Sequence, residues 1–106
     1  MFSFVETNLF SRLVRDYLPD EEYQRVQLTL IRNPETGVVI QGSGGVRKLR
    51  WKARGRGKRG GCRIIYFVRR SEEVIWMLTI YPKNIRDSIP GHILKKIRQE
   101  IENEHE

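Results

Sequence analysis

Acidic residues are missing from the middle of this sequence. Between Glu35 and Glu72 stand eleven Lys/Arg and not one Asp or Glu. Histidine is missing there too, since His92 and His105 both lie toward the C-terminal end. A segment without carboxylates or imidazoles cannot assemble a carboxylate-held magnesium site of the two-metal kind. Cysteine is almost absent: Cys62 stands alone, which excludes a disulfide framework and a cysteine-based zinc site. A reducing cytoplasm is the expected compartment. No stretch approaches the roughly 18 apolar residues of a membrane span. The opening MFSFVETNLF has no basic region and carries Glu6, so no secretory leader is expected.

What remains is a basic protein of 106 residues with 39% hydrophobic residues, enough for the core of one small domain over 1–106. Its formal charge of +7 is unevenly spread. Outside the acid-free block, nine Lys/Arg face all 13 acids, so that part is net negative while the block carries +11. Solvated surfaces ordinarily mix both signs. A block this pure points to a polyanion partner, with nucleic acid first.

The periodicity predicts a short strand at Phe2–Val5, then a helix from Thr7 with Leu9, Phe10, Leu13, Val14, Tyr17 and Leu18 at helical spacing. Pro19 stops it. Asp20 is the expected N-cap of a second helix, with Tyr23, Val26, Leu30 and Ile31 as its buried stripe, until Asn33-Pro34. Eight of the nine glycines then fall between Gly37 and Gly61, seven of them clustered as QGSGG and GRGKRGG. These read as loops on either side of the strand VRKLRW, Val46–Trp51. Two more strands follow, CRIIYFV (62–68) and VIWMLTIY (74–81), joined by a charged turn. Ser88 is the expected cap of a last helix, with Ile93, Leu94, Ile97 and Ile101 facing the core. The order predicts an α+β domain: an antiparallel sheet with two N-terminal helices and a C-terminal helix.

Alternation along VRKLRWK places Lys48, Arg50 and Lys52 on one face, about 6.6 Å apart at strand rise. Arg63 on the next strand shares a face with Ile65 and Phe67, and pairing of the two strands would bring it beside Lys48 and Arg50. In the glycine loop, Arg54, Arg56, Lys58 and Arg59 surround backbone that can approach phosphate closely, suiting it to grip RNA without reading sequence. It is no P-loop, because no Lys-Ser/Thr ending and no helix follow. A surface of this kind that cuts nucleic acid would do so without metal and without imidazole. RNA permits that, because its 2′-hydroxyl is an internal nucleophile. Arginine stays charged and stabilises phosphate oxygens. Acid and base duties then fall to lysine or tyrosine: Lys48, Lys52, Lys58, Lys83, Tyr66 and Tyr81 are the nearest.

Three segments, GSGGVRKLRW, GRGKRGGCRIIYF and LTIYPKN, in this order and spacing, resemble the HigB branch of the RelE-like bacterial toxins. The resemblance spans nearly the whole chain. It implies a RelE/ParE-like fold and the toxin half of a toxin–antitoxin pair, a ribosome-dependent endoribonuclease cutting mRNA in the decoding site, in contact with ribosomal RNA. It also implies a HigA-like antitoxin carrying a DNA-binding domain, and neither cofactor nor membrane. The family's Lys-x-Lys strand pair is matched by Lys48, with Arg50 in place of the second lysine. Its arginine on the next strand is matched by Arg63, ahead of Ile64-Ile65-Tyr66. Its arginine after the last strand falls at Asn84, beside a matching Lys83, and its C-terminal tyrosine falls near Pro90. Position, rather than the family, puts forward Tyr81 or Lys83 for the vacated role.

Two other functions are compatible with this sequence. A ParE-like inhibitor of DNA gyrase would not need cations on a sheet face. A non-catalytic RNA- or ribosome-binding protein would be served by the same basic surface.

Overall fold

Two X-Pro steps shape the first third of the chain. In the computed structural model, which describes residues 1–52, 61–85 and 89–104, strand β1 (Ser3–Glu6) leads into α1 (Asn8–Tyr17) and α2 (Asp20–Arg32). Leu18 and Asn33 end the two helices in extended conformation, as crowding by the following proline ring demands. Thr7 caps α1: its Oγ accepts the Phe10 N–H at 3.0 Å, and its hydroxyl donates to the Leu78 carbonyl at 2.7 Å. The cap thereby fastens α1 to the sheet. Pro19, not Asp20, occupies the N-cap of α2. Asp20, Glu21 and Glu22 instead fill its first turn, where carboxylates complement the helix dipole.

The remaining elements are β2 (Val38–Val39), β3 (Arg47–Trp51), β4 (Cys62–Arg69), a 3-10 turn (Arg70–Glu72), β5 (Val74–Pro82) and α3 (Gly91–Glu104). They form one five-stranded sheet in the order β1-β5-β4-β3-β2. The sheet is mixed rather than purely antiparallel, because the first strand, β1, pairs parallel with the last, β5. The two-residue edge strand β2 is too short to leave a periodicity in the sequence. Ser88, the expected cap of the last helix, lies outside the described residues; α3 opens at Gly91, with the Pro90 carbonyl accepting from Ile93 and Leu94.

Each face of the sheet has its own core. On one, Phe10, Val14, Leu18, Val26 and Leu30 of α1 and α2 pack on Leu49, Ile64, Tyr66, Ile75, Met77 and Ile80. On the other, Leu94 and Ile101 of α3 cover Val46, Ile65, Phe67, Trp76 and Leu78. Ile97 is half-buried beside them, whereas Ile93 is exposed.

A bulge in β5 decides which side chains join which face. Ile65 pairs with Thr79 but Tyr66 pairs with Met77, so Leu78 is an extra residue on β5. Before the bulge the odd residues Ile75 and Met77 face α1 and α2; after it the even residue Ile80 does. Tyr81 therefore lands on the α3 face. Without the extra residue it would point into the opposite core.

Candidate functional site

The alternation expected for β3 is present. Lys48 stands opposite Ile65, and Arg50 stands directly opposite Arg63. Arg63 in turn stands opposite Tyr81 on β5. Arg50, Arg63 and Tyr81 thus form one row across three strands, about 10 Å from end to end at the usual strand spacing. Lys48 sits one pair further along the same face. Strands hold these side chains in fixed directions, and the bulge completes the row.

The N-terminal end of α3 flanks the row. Ile89 and Leu94, with Ile40, Ile65 and Tyr81, enclose a cavity of about 10 Å³ beside Lys48, too small for a substrate. On its other side Lys48, together with Arg50, lines an open groove of about 230 Å³ whose remaining wall is Val38, Val39, Ile40 and Gln41. Lys48, Arg63 and Tyr81 are half-buried, whereas Arg50, Lys52 and Lys83 are exposed.

Not every cation of the acid-free block is available. Arg47 donates to the carbonyls of Glu35 and Gly37 at 3.2 and 2.7 Å, and Arg70 meets the Glu35 carboxylate at 2.8 Å. Arg69 pairs with Glu72 at 3.5 Å. The two acids that bracket the block thus neutralise its ends. Among the described residues, no carboxylate pairs with Lys48, Arg50, Lys52, Arg63 or Lys83. The uncompensated charge is concentrated on the row and at its rim. Arg54, Arg56, Lys58 and Arg59 lie outside the described residues.

The two candidate phenols separate. Tyr66 is fully buried in the α1/α2 core; its hydroxyl donates to the Pro34 carbonyl at 2.6 Å and accepts the Gly37 N–H at 2.9 Å. It braces the turn after α2 and takes no part in the cationic face. Tyr81 lies on that face. Burial raises its pKa, and Arg63 and Arg50 offset part of the rise. At neutral pH the phenol keeps its proton and can give it away. Cys62, on the opposite face, is buried and its thiol is pushed up to about 11, chiefly by desolvation.

Lys83 joins the site through backbone. Its N–H donates to the Gly61 carbonyl at 3.3 Å, just past the Cys62–Pro82 pair. That Ile40, Ile89 and Leu94 wall in Lys48 is not legible in the sequence. Nothing in an isolated apolar residue signals such a contact.

No protein-family model matches the sequence. A solved structure does: a double arginine-to-alanine mutant of the E. coli toxin RelE, in the free state, superposes with a TM-score of 0.62. The match covers 92% of this chain and 96% of that one. The fold is that of RelE. Identity over the match is only 12%, so the likeness lies in the arrangement of elements rather than in the side chains. The fold agrees with the architecture expected from the sequence, apart from the parallel pairing of β1 with β5 in a sheet expected to be antiparallel. No helix among the described residues is long and apolar enough to cross a membrane.

Proposed function

We propose that this chain is the toxin of a type II toxin–antitoxin pair, of the HigB branch, and cleaves mRNA on the ribosome. The observation that carries this reading is the row Arg50–Arg63–Tyr81 with Lys48 beside it. It is a strand-borne set of three basic side chains and one protonated phenol on one face of a RelE-like fold.

The chemistry assigned to this set uses the substrate's own nucleophile. Lys48, acting as its free amine, accepts the proton of the 2′-hydroxyl as that oxygen attacks the adjacent phosphorus. Arg63 and Arg50 stabilise the negative oxygens of the phosphorane, where charge develops. Tyr81, or Lys83 from the rim, protonates the departing 5′-oxygen. One P–O bond forms and one breaks, leaving a 2′,3′-cyclic phosphate and a 5′-hydroxyl. The donor set of lysine, arginine and tyrosine needs no divalent cation for these roles. Lys52, with Arg54, Arg56, Lys58 and Arg59 of the glycine loop, grips the phosphates of mRNA and ribosomal RNA. A HigA-like antitoxin with a DNA-binding domain is the neutralising partner, in the cytoplasm.

The test is primer extension on mRNA bound to purified ribosomes, with a single 2′-O-methyl nucleotide placed at the mapped cleavage site. Cutting that leaves 5′-hydroxyl ends and stops at the methylated position is expected. Cutting through the methylated nucleotide, or 5′-phosphate ends, would refute internal attack.

A further inference from the structure

One carboxylate is buried far from any role in the chemistry above. Glu22, in the first turn of α2, is 6% exposed, although its neighbours Asp20 and Glu21 are in solvent. Its Oε2 accepts the indole N–H of Trp51 at 3.0 Å, and its Oε1 accepts from Arg25 at 2.6 Å. The Arg25 guanidinium lies over the Trp51 ring, 5.4 Å from its centre. Trp51 is therefore held by its edge and by its face. A buried carboxylate is costly unless it is fully engaged, and this one is engaged at the end of β3.

That end is where the cationic row begins. Trp51 is the last residue of β3, between Arg50 and Lys52, and its side chain faces α2 while Arg50 faces the other way. The indole thus fixes the backbone from which Arg50 projects. The hold passes onward across the sheet. Gly61, at φ +84°, approaches the Trp51 carbonyl so closely that any Cβ there would collide with it. The Gly61 carbonyl accepts from Lys83, and the next residues, Cys62 and Arg63, stand opposite Trp51 and Arg50. Shifting the indole would move Arg50, the start of β4 and the Lys83 turn together.

We infer that Glu22 is a positioning residue: through Trp51 it sets the geometry of Arg50 and Arg63 on the opposite face of the sheet and of Lys83 at its rim. This goes beyond the proposed nuclease activity, but its kinetic arm rests on that reading. The experiment therefore also has an arm that does not. The variants are Glu22→Ala, Glu22→Gln, which keeps an oxygen acceptor for the indole, and Trp51→Phe, which keeps a ring but loses the donor. The first arm follows the Arg50 and Arg63 Nε–H signals by 15N NMR in the full chain. Both should shift in Glu22→Ala and Trp51→Phe, and should return close to wild type in Glu22→Gln.

The second arm is the saturated single-turnover rate on ribosome-bound mRNA. It should fall about tenfold or more in Glu22→Ala and Trp51→Phe, with ribosome affinity nearly unchanged. Glu22→Gln should retain most of the rate, and combining Glu22→Ala with Trp51→Phe should cost little more than either alone. If Glu22→Ala does not fold, Trp51→Phe decides. Unshifted arginine signals in folded Glu22→Ala or Trp51→Phe overturn the inference, whatever the activity. So does a Glu22→Gln variant as displaced as Glu22→Ala. A wild-type protein that does not cut would refute the nuclease reading and leave the NMR arm to judge the positioning role.

Discussion

Tyr66 and Tyr81 are the same residue type on neighbouring strands, and their surroundings give them opposite work. Tyr66→Phe removes the acceptor of a buried Gly37 N–H and the donor to Pro34, so stability should fall by about 1–3 kcal/mol. Its saturated cleavage rate should stay within about twofold of wild type. Tyr81→Phe should do the reverse, lowering the rate at neutral pH with a small effect on the urea midpoint. A slowed Tyr66→Phe with an unaffected Tyr81→Phe would reverse the assignment. The pH profile carries a further sign. Tyr81 acts as its protonated form and its pKa is raised by burial, so no alkaline loss of rate should arise from this phenol below about pH 10. Separate replacement of Lys48 and Lys83 by Met tells base from acid.

At the scale of the element, β5 shows how far a sequence speaks. VRKLRW declares its two faces because cations alternate with Leu49 and Trp51, and the structure places Lys48 and Arg50 accordingly. VIWMLTIY declares nothing of the kind. It is apolar throughout, since helices cover both sides of the sheet, and a bulge inside it leaves no trace in composition. The face occupied by Tyr81 was thus illegible, although the residue itself stood out as a nearby phenol. The parallel pairing of β1 was hidden for a different reason: four residues fix neither direction nor partner. Glu22 was legible as an acid in a first turn, and its burial against Trp51 was not, because that contact spans 29 positions. The link from α1 to the bulge offers a direct check. Thr7→Ala loses both the cap and the bond to the Leu78 carbonyl, and should cost about 1–2 kcal/mol in urea denaturation. Thr7→Ser, which keeps the hydroxyl, should restore most of it.

For the whole molecule, burial of weak acids on both faces ties stability to alkaline pH. Cys62 rises from 9.0 to about 11, and Tyr23, Tyr66 and Tyr81 all rise through desolvation. Their unfolded counterparts release protons at lower pH, so unfolding gains ground as pH climbs. The contribution is fully present below about pH 9, is lost as pH passes through the folded-state values, and should show as a urea midpoint that falls between about pH 9 and 11. A midpoint that rises over that window would contradict it. The same distribution of charge bears on function, because acids at Glu35 and Glu72 neutralise the ends of the basic block and leave the row on the sheet uncompensated among the described residues. The central claim is that this row performs chemistry and does not merely bind. Its most direct test is the saturated single-turnover cleavage of ribosome-bound mRNA by Arg63→Ala, measured alongside ribosome affinity. The account predicts a rate lower by about 10² or more, the worth of one lost transition-state donor, with affinity changed far less. Weaker binding with an unchanged saturated rate would contradict it.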